Sequence, residues 1–244
     1  MLKLIGGAAI AAVLAFAPAA NINSAVAETP AQASAAPVHA AVHTAAVAQF
    51  GLAIAGNSGL AAEGQSADGF RAWIAGSGAN RDNVSAFGSF LASEGVGSVI
   101  PLWELTRTSS SWRECGAEPF EAPPRDKWDH IVTTLKFVRD DVVPAVGPVE
   151  AVSGYRNAKL NACSDGAPKS AHREFFALDL TPVNAAVDRD DMIRSVCAAH
   201  ARDGARYDAG LGFYTGRRFH VDSSGFRKWG ANGKGATSPC NSYA

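Results

Sequence analysis

Apolar residues recur along this chain at two different periods, and the change of period divides it. Phe70, Trp73 and Ile74 fall at helical spacing and mark one short helix face. Val84, Phe87, Phe90 and Leu91 mark a second helix, with Gly95 near its end. Residues 105–126 contain Pro119, Pro123 and Pro124 and little periodicity, so they read as a loop. Trp128, Ile131, Leu135, Val138 and Val142 then form a long helical stripe, expected to stop at Pro144 and Gly147. A stripe of this kind is a core face. Beyond it, residues 148–152 and 177–180 are short apolar runs that read as strands. Asp188 or Asp190 caps a helix that buries Ile193, Val196, Cys197 and His200 and closes at Gly204. Residues 211–214 and 219–222 read as a hairpin around Thr215-Gly216-Arg217-Arg218. Helices first, then strands mixed with helices, predict an α+β fold.

Ahead of Ser66 the residues are of another kind. Lys3 supplies a positive start, residues 4–17 are apolar, and Ala25-Val26-Ala27 is a small-residue cleavage site. Residues 1–27 are therefore expected to be an export signal. An uncleaved anchor is the alternative, but a span takes about 20 apolar residues, and Pro18 with the Ala/Gly-heavy run favours a short signal core. The mature chain is expected to be exported, periplasmic or secreted, with no stable membrane insertion. Residues 28–65 read as an Ala-rich linker with Pro30 and Pro37, in which His39 and His43 are solvated. Residues 66–144 are expected to be a helical region packed on the part that carries the chemistry, residues 145–244.

Charge and cysteines narrow the partners. The formal net charge is −1, which offers no electrostatic reason to bind nucleic acid. The four cysteines, Cys115, Cys163, Cys197 and Cys240, are widely spaced with no C-x-x-C pair. That disfavours a cysteine zinc knot and favours one or two disulfides in an exported chain, with three full pairings open. A buried free thiol is the alternative at Cys197, on its apolar helix face.

Candidate chemistry lies between Ser153 and Asp222. His172, Asp179 six intervening residues later, and His220 form a two-imidazole, one-carboxylate set that leaves a fourth position on Zn²⁺ open for water. Alternation along a strand puts Phe219 and Val221 toward the core and turns His220 and Asp222 the other way. Asp179 and Ala177 likewise share a face, so a His and an Asp on neighbouring strands can converge on one ion. His172 would reach it from the loop before its strand. Such spacing is common by chance, and more than spacing is present. Ser153-Gly154-Tyr155-Arg156, Asn161, Ser170-Ala171-His172, Ala177-Leu178-Asp179, Gly212-Phe213-Tyr214, His220-Val221-Asp222 and Arg227-Lys228-Trp229 occur in one order.

That series, over roughly residues 145–230, resembles the zinc D-alanyl-D-alanine carboxypeptidase and murein endopeptidase family, related in fold to hedgehog and lysostaphin-type peptidases. The resemblance implies a small antiparallel sheet flanked by helices, with Zn²⁺ on the open sheet face held by His172, Asp179 and His220. It makes Arg156 a cation that orients substrate near the metal, and peptidoglycan or its peptides the partner. It implies hydrolysis of D-alanyl bonds in stem peptides or cross-links by a metal-activated water.

Two departures bear on activity. Where many relatives place a carboxylate or His ahead of the last ligand, this chain has Arg217 and Arg218, which accept no proton. Asp222 is then the first candidate for general base and Glu174 the second, although Asp222 is equally placed to orient an imidazole. Phe175 stands where relatives carry Gly, followed by Phe176; two rings beside the metal would wall the cleft and select substrate, or would block it. A non-catalytic peptidoglycan-binding protein with the same fold is thus the alternative function. Serine-type D-Ala-D-Ala chemistry is set aside, because no lysine has a Ser three residues before it. His130 is expected to be solvated, His200 to be a satisfied core histidine, and Tyr155, Tyr214 and Trp229 to serve in packing.

Overall fold

The computed structural model describes residues 61–243. The expected signal and most of the expected linker, with His39 and His43, lie outside the described residues. Helix α1 (Ala67–Ala75) is opened by Ser66, whose side chain accepts from Gly69 N, and α2 (Gly78–Ser93) by Ser77, which accepts from Asn80 N. Both carry the apolar faces that the stripes predict, with Phe70 and Ile74 buried on the first and Val84, Phe87 and Leu91 on the second. After α3 (Leu102–Leu105) the chain runs as a loop to α4 (His130–Phe137). Here Pro144 does not stop the helix. The backbone widens into a π turn over Val138–Val142 and continues through a last turn, α5 (Val143–Val146), that contains Pro144. Proline has no N–H to give to an i→i−4 bond, and the wider turn absorbs the missing donor. Gly147, with φ 77°, ends it.

Strands β1 (Val149–Ser153), β2 (Ala177–Pro182), β3 (Gly210–Phe213), β4 (Phe219–Asp222) and β5 (Arg227–Trp229) form one sheet in the order β1-β2-β4-β3-β5. Helix α6 (Ala158–Cys163) follows β1, and α7 (Arg189–Asp203), capped by Asp188, precedes β3. The first four strands pair antiparallel, but β5 runs parallel to β3. The sheet is therefore mixed, where a purely antiparallel one was expected. The cause is the end of β3. Asp222, at the end of β4, and Arg227, at the start of β5, both pair with Gly210. A side chain at Gly210 would collide with the Asp222 carboxylate, so its absence lets Asp222 and Arg227 join across the strand end. The chain thus passes from one side of β3 to the other within four residues.

One sheet face carries Leu178, Leu180, Leu211, Phe213, Phe219 and Val221, all buried in a core shared with the helices before β1. A polar peg also joins the two regions. Arg107, 1% exposed, donates from Nη1 to Glu150 Oε1 and Ala151 O, both at 2.7 Å, and from Nε to Gln65 O at 2.9 Å. Its guanidinium lies 4.3 Å from the Trp103 ring. Glu104 accepts from Ala151 N at 2.8 Å. Two disulfides, Cys115–Cys163 and Cys197–Cys240, use all four cysteines, so Cys197 is paired. No helix among the described residues is long and apolar enough to cross a membrane.

Burial pushes the Glu104 carboxyl up from 4.5 to about 8, against the Ala151 hydrogen bond and the Arg107 charge, with Glu150 adding to the rise. The folded state therefore holds a proton that the unfolded chain has released, and its stability falls as pH rises from about 4.5 through about 8. Glu104→Gln should flatten that fall by an amount of the order of 2 kcal/mol, read from urea unfolding at pH 5 and pH 8.

Candidate metal centre

The strand register assembles the site. Ser153, Asp179, His220, Gly212 and Trp229 form one row across the five strands, each paired with the next. An irregularity in β1 between Ala151 and Ser153 brings Ser153 opposite Asp179. The row lies on the face away from the core. His172 comes from the short 3₁₀ turn Ala171–Glu174 just before β2. The three residues singled out as ligands meet: His172 Nε2 and His220 Nδ1 are 3.2 Å apart, and Asp179 Oδ1 is 3.3 Å from the first and 3.2 Å from the second. All three are buried, and together they form a group able to hold a metal ion.

Hydrogen bonds on the far side of each ring set what these atoms offer. His172 Nδ1 lies 2.7 Å from Gly154 O, an acceptor only, so Nδ1 carries the proton and Nε2 presents a lone pair. His220 Nε2 lies 2.8 Å from Asp222 Oδ2. Asp222 is held well below the usual carboxylate range: burial opposes ionisation, and His220, Ser224 and Arg227 outweigh it. Nε2 therefore donates to Asp222, and Nδ1 faces the centre. Burial and the Arg156 charge push His172 down to about 4, against the pull of Asp179. Burial lowers His220 as well, yet hydrogen bonds to Asp179 and Asp222 raise it overall. Two ring nitrogens and a carboxylate oxygen aimed at one point form a field that calls for a cation. Donors about 2.0–2.1 Å from a tetrahedral Zn²⁺ stand about 3.3 Å from one another, and the three separations here fit that figure.

Asp179 has no exposed surface and five polar neighbours. Besides the two imidazoles, Arg156 Nη2 donates to Oδ2 at 3.0 Å, Arg218 Nη2 donates to the same oxygen, and Tyr214 Oη donates to Oδ1 at 2.9 Å. Burial would raise this carboxyl, but His172 and Arg218 hold it well below the usual range. Arg156 is itself braced by Ser153 Oγ at 3.2 Å, and among the described residues its Nη1 makes no hydrogen bond. Asp222 takes both arms of Arg227 at 2.9 and 2.8 Å, and the Ser224 N–H and hydroxyl. Trp229 packs directly over Gly212, where any side chain would overlap its indole, and stands 5.2 Å from the His220 ring.

Other sequence candidates are placed elsewhere. Asp222 lies behind His220, on the side away from the three donors. Glu174 pairs with Lys127 at 2.8 Å. Among the described residues Asp179 and Asp222 are the carboxylates that touch the imidazoles, and both are engaged. Phe175 does not wall the cleft. Its backbone is left-handed (φ 59°), which turns the ring into the core, 5.7 Å from Phe87 and 6.3 Å from Tyr155. Phe176 stacks on His130 at 4.2 Å, and His130 Nδ1 donates to Glu174 O, so His130 is not simply solvated. His200 is the core histidine expected, with Nε2 donating to Ala209 O. Tyr214 and Arg218 were missed as parts of the site. Alternation would have found them, since Tyr214 is two residues past Gly212 within the strand as read and Arg218 is two before His220, one step beyond it.

No family model matches this chain, and neither a curated protein nor a solved structure matches it.

If the three donors hold a metal ion, Asp222→Asn should weaken its binding by about 10- to 100-fold, measured against a competing chelator, because the His220 ring loses its charged anchor. Phe175→Ala should destabilise by about 3–5 kcal/mol through the cavity it leaves, and Phe175→Gly by about 1 kcal/mol less, because glycine is at ease at positive φ.

Proposed function

We propose that this chain is an exported zinc peptidase that hydrolyses D-alanyl bonds in peptidoglycan stem peptides or cross-links. The observation that carries the reading is the convergence of His172 Nε2, Asp179 Oδ1 and His220 Nδ1 at 3.2–3.3 Å separations on the polar face of the sheet. The donor set fits Zn²⁺, which prefers nitrogen and carboxylate ligands and stays catalytic when three protein groups leave a position open. Bound there, the ion would supply Lewis acidity and an acidified water. The chain's own groups do the rest. Gly154 O and Asp222 hold the two imidazoles in the tautomers that face inward. Arg156 and Arg218 hold the Asp179 carboxylate ionised and oriented, and the Nη1 arm of Arg156 remains for a substrate carboxylate or carbonyl. Tyr214 and Trp229, whose rings are 5.6 Å apart, flank the His220 side of the centre. The ordered motifs shared with D-alanyl peptidases point to the substrate. The expected signal and the two disulfides agree with export.

A second reading, a peptidoglycan-binding protein that keeps the fold without turnover, is favoured by one observation. Among the described residues no separate carboxylate stands beside the donors to take a proton from water.

Metal analysis of the purified mature protein should find about one zinc per chain. Digestion of peptidoglycan should release D-alanine or cleaved cross-links, detected by mass spectrometry. Chelator and His172→Ala should each abolish release. Binding to peptidoglycan with no released fragment would turn the assignment to the second reading, and cleavage undiminished by chelator would overturn the zinc mechanism.

A further inference from the structure

A cleft of about 820 Å³ lies between the helical region and the start of α6, away from the three donors. On one side are α1 and the first turns of α2, and on the other the disulfide-tethered segment around Cys115 and residues 157–160. Seven side chains give it its chemistry: Trp73, Asn80, Asn83, Glu118, Glu121, Asn157 and Lys159. The Trp73 indole rests 6.0 Å from Phe70 and 5.8 Å from Phe120 and is only half-buried, so part of it is left to the cleft. Asn157 is fixed: Oδ1 accepts from Leu160 N at 2.9 Å and Nδ2 donates to Glu121 Oε2 at 2.8 Å. Among the described residues the side-chain amides of Asn80 and Asn83 and the Lys159 ammonium have no hydrogen-bond partner.

This composition selects the occupant. Glu118 and Glu121 face a single Lys159, so a phosphate or other polyanion meets no excess of positive charge. An apolar segment would desolvate two amides, an ammonium and a carboxylate without returning hydrogen bonds. A neutral ligand with many donors and acceptors, and a flat apolar face to lie on an indole, satisfies every wall at once. The volume falls inside the range of about 300–1,000 Å³ that holds ligands larger than one sugar ring. We propose that this cleft binds a neutral oligosaccharide. Resting on the function proposed above, that oligosaccharide is the N-acetylated amino-sugar strand to which stem peptides are attached. Asn157 follows Arg156 directly, so one short segment serves both places: Arg156 binds Asp179, and Asn157 binds the cleft carboxylate.

The test is calorimetric titration of the full chain with the N-acetylglucosamine trimer, with and without chelator. The trimer should bind equally in both conditions, and the pair Asn80→Ala/Asn83→Ala, at a half-buried and an exposed position, should weaken it by about tenfold without moving the melting temperature. Trp73→Phe, which keeps the contacts with Phe70 and Phe120, should weaken it while leaving zinc stoichiometry unchanged. No heat at millimolar trimer, or an affinity untouched by the Asn pair, would overturn the proposal, as would tighter binding of an acidic oligosaccharide of equal length. Because the titration needs no turnover, sugar binding without peptide cleavage would sink the peptidase reading alone, and cleavage without sugar binding would sink the cleft alone.

Discussion

A carboxylate with no solvent contact must be neutralised by its surroundings, and the polar face of this sheet is organised around that demand at Asp179. Two guanidinium groups, a phenol and two imidazoles reach it from four parts of the chain. Taking such a group out of water costs several kcal/mol unless it is paired and fully hydrogen-bonded. Arg156 comes from the segment after β1, Tyr214 and Arg218 from the two ends of the β3–β4 turn, and His172 from the turn before β2. Each of those segments is therefore held in place by the same charge. The convergence of donors that suits a metal ion is a consequence of this enclosure.

The second tier of contacts is built from backbone proximity. Gly154 sits so close to the 105–107 segment that a Cβ would stand 2.7 Å from Leu105 O. Its N–H donates to Arg107 O at 2.8 Å, while its carbonyl receives the His172 Nδ1 proton. One glycine thus hands the position of the helical region on to one of the three converging donors. The Phe175 ring, turned into the core by its left-handed backbone, does the same from the other end of the His172 turn.

Much of this was legible in the residues, and what was not has physical reasons. Long stripes such as Val84–Leu91 and Trp128–Val142 announce helices because burial enforces their period. The meeting of Asp179 and His220 was legible because alternation in 177–180 and 219–222 fixes which side chains share a face. Helices α3 and α6 are too short to show a period. The parallel β5 depends on a missing side chain at Gly210 in another strand, which no local window reports. The left-handed backbone at Phe175 reverses the ring's expected direction, and a propensity for negative φ gives no warning of it. Tyr214 lay inside a strand as read but was assigned to packing, and Arg218 lay one step beyond one, on a position whose facing was already implied.

The Cys197–Cys240 bond bears on how the open edge of the sheet behaves. β5 is a three-residue border strand that carries Trp229 over His220, and such a strand would ordinarily fray on its own. The covalent leash eleven residues downstream ties the tail after β5 to α7, so the border can lift only as far as that tether permits. Complete departure of the rim would have to draw the helix with it, so the indole stays within reach of its station over the imidazole.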